Sequence, residues 1–87
     1  MVNIAGFVEK MRKSPQNIRY DDLFSFCCRM FGEPRQQGSS HAVFKTPWKD
    51  DPRVNIQRGK NGQAKAYQVK QVVRAVEKMA AESEGAQ

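Results

Sequence analysis

The sequence has few of the residues from which proteins build catalytic and metal sites. Its 87 residues include one histidine, His41, and two cysteines, the adjacent Cys27 and Cys28. Neighbouring side chains on a helix point about 100° apart, so no disulfide is expected between these two cysteines. One histidine and two adjacent cysteines also fall short of the ligand spacing of a zinc site. We therefore expect two reduced thiols, at least one of them in the core, and neither a metal nor a cofactor.

Long apolar runs are missing as well. No stretch approaches the ~20 apolar residues that cross a bilayer. The N-terminal residues alternate between polar and apolar, unlike the unbroken apolar segment of a signal peptide. These absences predict a cytoplasmic protein without a membrane partner. At 87 residues the chain is expected to form a single domain, 1–87, with one modest core.

Positive charge is abundant and unevenly distributed. The net charge is +6, yet residues 1–34 carry only +1 of it. Residues 35–78 contain ten basic and three acidic side chains, a net charge of +7, and residues 79–87 contribute −2. A basic half of this kind suggests a polyanionic partner, although a solvated, solubilising surface explains the charge equally well.

Three segments have the apolar spacing of amphipathic helices. The first covers residues 3–13 and ends before Pro15, because the residue that precedes a proline avoids the helical region. The second is expected to be capped by Asp21 and to end at Gly32. The third begins near Val69 and ends at Ala81, which leaves residues 82–87 as a frayed tail. Their apolar stripes are Ile4, Phe7, Val8 and Met11; Leu23, Phe24, Cys27, Met30 and Phe31; and Val69, Val72, Val73, Val76 and Met79 or Ala80.

The segments between the second and third helices have strand patterns. Residues 35–37 are a weak strand candidate, while residues 41–45 and 53–57 alternate clearly between polar and apolar. The alternation assigns Ala42 and Phe44 to one face and His41, Val43 and Lys45 to the other. The predicted order α-α-β-β-β-α corresponds to an α+β two-layer sandwich, with a three-stranded antiparallel sheet packed on helices.

His41 is the candidate catalytic residue, and it follows the turn Gly38-Ser39-Ser40. A lone histidine in a small domain is more often a structural residue. RNA cleavage is nevertheless a reaction that these residues can perform. The substrate supplies its own nucleophile, the 2′-OH, so the protein needs only proton transfer and nearby positive charge.

These features resemble the HicA toxin family, whose signature is Gly-Ser-any-His followed by an apolar strand. Gly38, Ser39 and His41 match that signature, and the similarity covers residues 20–80, with residues 3–18 as an N-terminal helical extension. Many members carry a second histidine where this chain has Ser40. The resemblance implies a double-stranded-RNA-binding-domain-like fold, an mRNA interferase with His41 as catalyst, and a HicB-like antitoxin of a type II toxin–antitoxin system.

The sequence alone does not decide the roles of several residues or choose between several functions. Lys45, Arg58, Lys60 and Lys65 are electrostatic candidates for RNA phosphate contacts, although each can equally be an ordinary surface charge. Trp48 either stacks on a base or packs its ring on neighbouring apolar surface. The alternatives to a nuclease are a non-catalytic RNA-binding module and a protein–protein adaptor.

Overall fold

A computed structural model shows an α+β fold of three helices and an antiparallel pair of strands. It describes residues 4–34, 41–48 and 53–85, with the backbone alone at His41 and at residues 83–85. Among these residues, no helix combines the length and the apolar character that crossing a bilayer requires. The elements are α1 (Ile4–Lys13), a 3-10 turn (Pro15–Asn17), α2 (Tyr20–Phe31), β1 (His41–Phe44), β2 (Val54–Gln57), a second 3-10 turn (Lys60–Gly62) and α3 (Ala66–Gly85).

The helices occupy the segments that the apolar spacing predicts. α1 ends at Lys13, two residues before Pro15, and α2 ends where Gly32 takes a φ of 88°. The Gly32 N–H donates to the carbonyl of Cys28 at 2.9 Å, which closes the last turn. α3 continues as far as Gly85, beyond the predicted end at Ala81.

The predicted cap of α2 is wrong. The helix begins at Tyr20 with Arg19 as the N-cap residue, and no side chain caps it. Asp21 lies inside the first turn, and its carboxylate accepts a hydrogen bond from Arg58 at 3.0 Å. A carboxylate in the first turn still interacts favourably with the helix dipole, so Asp21 supports this end without capping it.

The two strands pair in antiparallel register, with His41 opposite Gln57 and Phe44 opposite Val54. The predicted alternation is confirmed on the core face, because Ala42 and Phe44 of β1 are buried, as are Val54 and Ile56 of β2. The weak strand candidate at residues 35–37 lies outside the described residues. Within the described residues the sheet has two strands, to which two single bridges add pairings of Arg19 with Gln63 and of Arg58 with Ala64.

The loop after β2 is tight, and Gly59 explains how it closes. Its N–H donates to the carbonyl of Gln63 at 2.7 Å. A Cβ atom at this position would approach that same carbonyl oxygen to 2.9 Å, closer than real Cβ atoms come. Glycine therefore permits the close backbone contact that turns the chain back toward α3.

The N-terminal helix is part of the core. Phe7, Val8 and Met11 of α1 are buried, and the ring of Phe7 lies 5.0 Å from that of Phe26 on α2. At the surface, the Arg12 guanidinium forms an ion pair with Glu77 of α3 at 2.7 Å. The helix that precedes the region of family resemblance thus shares one core with it.

One of the two cysteines lies in that core, as predicted. Cys27 is fully buried, Cys28 is half-buried, and both are free thiols. Burial raises the pKa of the Cys27 thiol far above its ordinary value, with a smaller contribution from Cys28. Cys27 therefore remains a protonated, apolar core residue at neutral pH.

Candidate functional site

His41 is the first residue of β1, and its backbone pairs with Gln57, the last residue of β2. The chain leaves β2 at this point and continues into Arg58 and the second 3-10 turn. The register therefore brings His41 to the end of the sheet from which the segment 58–65 departs. Gly38, Ser39 and Ser40, the predicted turn before His41, lie outside the described residues.

A buried glutamine of α3 holds the strand opposite His41. The backbone N–H of Gln57 donates to Gln68 Oε1 at 2.8 Å. Gln68 is only 3% exposed, and its Nε2 donates to the hydroxyl oxygen of Tyr67 at 3.4 Å. The first turn of α3 is thus connected directly to the cross-strand neighbour of His41.

Sequence reasoning missed this glutamine, although a signal was present. Gln68 precedes Val72 by four residues and Ala75 by seven, and both of these are fully buried. That spacing places it on the inward face of α3. A polar side chain at a core position needs a hydrogen-bond partner, and the end of β2 supplies one.

Arg58 joins the same end of the sheet to α2. Its guanidinium donates to Asp21 Oδ1 at 3.0 Å and lies 4.7 Å from the centroid of the Tyr20 ring. Burial raises the pKa of the Tyr20 phenol, and the positive charge of Arg58 opposes that rise. The arginine predicted to contact phosphate therefore already holds a carboxylate and an aromatic ring.

Two further predicted cations lie in the same segment. Lys60 is exposed in the second 3-10 turn. Lys65 directly precedes α3, and its carbonyl accepts hydrogen bonds from the N–H groups of Gln68 and Val69, both at 3.0 Å. Arg58, Lys60 and Lys65 consequently follow the strand residue opposite His41 within a short stretch of chain.

Lys45 belongs to the opposite end of the sheet. It lies four residues after His41, which corresponds to about 13 Å along an extended strand. It lines a shallow pocket of about 220 Å³. The other lining residues come from α2, α3 and the loop after β1: Met30, Phe31, Thr46, Pro47 and Met79.

Trp48 lies in the loop after β1, near this end. The ring is half-buried against the core, and the Nζ of Lys78 lies 5.0 Å from its centroid. Of the two roles predicted from the sequence, packing on neighbouring apolar surface is the one that the half-buried ring supports. A cation over one face of the ring leaves less of it for a base.

Comparison of the chain with models of known protein families, with curated proteins and with solved structures gave no match. Within the described ranges, no three His, Cys, Asp or Glu side chains come together as a set of metal ligands.

Proposed function

We propose that the protein is an endoribonuclease toxin of the HicA type, which cleaves mRNA with His41 as its general acid or base. The observation that carries this proposal is the strand register. It pairs His41 with Gln57, directly before the segment that contains Arg58, Lys60 and Lys65. A proton-transfer group beside several cations is what cleavage of an RNA phosphodiester requires.

The reaction needs two proton transfers and charge stabilisation. The 2′-hydroxyl loses its proton and attacks the adjacent phosphorus, and the bond from phosphorus to the 5′-oxygen breaks as that oxygen gains a proton. The imidazole group has a reference pKa of about 6.5, so a histidine side chain is suited to accept or donate a proton at neutral pH. In this proposal Lys60 and Lys65, which follow Gln57 closely in the chain, offset the charge that builds up on the phosphoryl oxygens.

The finer fold assignment belongs to the same proposal. The described order α2, β1, β2, α3 is compatible with a double-stranded-RNA-binding-domain-like fold, and residues 35–37 would supply the third strand of its sheet. The basic half of the chain, with a net charge of +7 in residues 35–78, suits an acidic HicB-like antitoxin in the cytoplasm. A small HicB-like reading frame beside the coding sequence would support this part of the proposal.

The direct test is His41→Ala, compared with Lys10→Ala on α1 as a control that removes an exposed cation far along the chain. The His41 variant should lose about 10²- to 10⁴-fold in the rate of RNA cleavage, the usual contribution of a general acid or base, and should no longer inhibit growth. The Lys10 variant should behave as the parent. Circular dichroism should show both variants folded.

Two results would contradict the proposal. Cleavage and toxicity that survive in His41→Ala would remove the catalytic role of the histidine. Cleavage that stops when a chelator is added would count against a mechanism that relies on one imidazole and nearby cations.

A non-catalytic RNA-binding module is the second candidate, because the cations of the segment 58–65 favour RNA binding whether or not His41 acts. Incubation with labelled RNA separates the two functions. A binding module shifts the RNA in a gel without shortening it, whereas a nuclease shortens it.

A further inference from the structure

Tyr67 is an aromatic side chain that the fold leaves in solvent. Its exposure is 58%, and among the described residues only Ile4 on α1 is another large apolar side chain left exposed, at 39%. The core does not use the ring of Tyr67, since the neighbouring Gln68 and Val69 face inward instead. An exposed aromatic ring in a basic part of the chain offers a flat π-surface to a ligand.

The position of Tyr67 is linked to that of His41 through two hydrogen bonds. The tyrosine oxygen accepts from Gln68 Nε2 at 3.4 Å, and Gln68 Oε1 accepts from the N–H of Gln57 at 2.8 Å. Gln57 is the cross-strand partner of His41. The buried amide of Gln68 therefore holds both the aromatic ring and the strand opposite the histidine.

Two lysines flank Tyr67 in the sequence. Lys65 lies two residues before it, directly ahead of α3, and Lys70 lies three residues after it. Residues three apart on a helix are neighbours on its surface, and Lys70 is exposed. Cations on both sides of an exposed aromatic ring are the arrangement with which proteins bind single-stranded nucleic acid, the ring stacking on a base and the cations contacting phosphates.

We propose that Tyr67 is a stacking platform for a nucleobase of single-stranded RNA, beside the phosphodiester that His41 cleaves. The location of the cleaved bond rests on the proposed function, whereas the stacking itself needs no cleavage. The ring would orient the RNA strand, and Gln68 would keep that ring in a constant relation to His41.

The test uses His41→Ala as the parent, so that the RNA remains intact during the measurement. Its affinity for a short single-stranded RNA that contains 2-aminopurine is measured together with the quenching of the base fluorescence. Tyr67→Leu should weaken binding about 10- to 100-fold and remove the quenching, because a base gains roughly this much from stacking on an aromatic ring. Tyr67→Phe should bind within about twofold of the parent, since it keeps the π-face.

Ile4→Ala is the matched control, because it removes exposed apolar surface from α1 and leaves the residues of α3 unchanged. This variant should bind the RNA as the parent does. Equal affinities for the parent and Tyr67→Leu would overturn the proposal. So would a loss in Tyr67→Phe as large as in Tyr67→Leu, since the hydroxyl group would then carry the effect. If Tyr67 instead contacts a protein partner, Tyr67→Leu would leave the RNA affinity unchanged, and the stacking proposal would be wrong.

This experiment can fail independently of the proposed function. If His41→Ala remains an active nuclease, the catalytic assignment is lost, and the stacking measurement is made instead with a single-stranded DNA of the same sequence, which lacks the 2′-hydroxyl and stays intact. If Tyr67→Leu binds RNA normally while His41→Ala is inactive, the stacking proposal is wrong and the catalytic assignment stands.

Discussion

The two ends of the β1–β2 pair are held by different kinds of contact. At the His41 end, hydrogen bonds and an ion pair join β2 to both neighbouring helices, through Gln57 to Gln68 and through Arg58 to Asp21. At the Lys45 end, methionine, phenylalanine and proline side chains line a shallow pocket, and a hydrogen bond from Thr46 to the carbonyl of Trp48 stays within the loop after β1.

The hydrogen bonds at the His41 end fix the position of the backbone, whereas the apolar side chains at the Lys45 end can rearrange. Hydrogen bonds depend steeply on distance and angle, so they hold backbone atoms in one arrangement. Methionine side chains fill irregular space and tolerate rearrangement. A catalytic group needs its supports fixed to within a fraction of an ångström, and it is the His41 end that has them.

The largest effect should come from Gln68→Met, which keeps the size of the side chain and removes the acceptor for the Gln57 N–H. An amide left without its partner costs about 1–3 kcal/mol, which denaturant unfolding will measure. RNA cleavage should fall mainly in kcat, because the strand opposite His41 is disturbed, whereas KM should change little, because Tyr67 keeps its exposed ring and loses only a 3.4 Å hydrogen bond to its hydroxyl group.

Two variants control this experiment. Gln68→Glu keeps an acceptor for Gln57 and should restore much of kcat. Thr46→Val, at the other end, removes a 3.2 Å hydrogen bond to the carbonyl of Trp48 and should leave cleavage unchanged. If Thr46→Val lowers kcat as much as Gln68→Met does, the two ends are equivalent and the comparison fails.

The second prediction concerns the cations of the two ends. Lys60→Gln and Lys45→Gln should each reduce the magnitude of the negative slope of log affinity against log salt concentration by about 1, as expected when one phosphate contact is lost. Titrations of RNA binding at several salt concentrations measure this slope. A change in Lys60→Gln alone would confine the RNA to the His41 end, and Lys13→Gln on α1 should leave the slope unaltered.

The third prediction concerns Arg58 as a structural contact. Arg58→Leu should destabilise the fold by about 1 kcal/mol, since exposed ion pairs and cation–π contacts contribute little each. It should also raise the pKa of the Tyr20 phenol further, because the guanidinium is the group that lowers it.

Ultraviolet titration of tyrosine will detect that shift toward higher pH. Arg12→Leu breaks the ion pair between α1 and α3 instead, and the titration of Tyr20 should be unaffected by it. A Tyr20 pKa that falls in Arg58→Leu would show that the arginine does not lie over the ring in solution.

The smallest effect is expected from Lys78→Met at the Lys45 end. Loss of the cation above Trp48 should cost about 0.5–1 kcal/mol, the usual size of such a contact near the surface. Trp48 is the single tryptophan, so its fluorescence reports the change without interference. An unchanged emission spectrum would argue that Lys78 does not rest on the ring, and Lys70→Met on the same helix is the control.

Local patterns predicted most of the described fold. The spacing of Phe7, Val8 and Met11 identified α1, and the alternation of Ala42 and Phe44 identified both β1 and its inward face. Such patterns depend on residues close together in the chain, and their physical cause is burial of one face.

The contacts around the site could not be predicted in the same way. Arg58 and Asp21 are 37 residues apart, and only the packing of β2 against α2 brings them together. The local sequence around Asp21 therefore indicates only a helix cap. The roles of Gln68 and Tyr67 depend on the register of β1 with β2, which a single sequence does not specify. The catalytic role of His41 stays a prediction, supported by its place in that register.

The joining of α1 to α3 has a consequence for the order in which the molecule can assemble. Arg12 and Glu77, which link these helices at the surface, are separated by 65 residues, so one partner is synthesised long before the other. Contacts of such long sequence separation form late in folding, because a long loop must close before they contribute. A ribosome-bound chain in which α3 has not yet been synthesised lacks the helix on which α1 and the sheet pack. The core around the β1–β2 pair is therefore complete only when α3 is present.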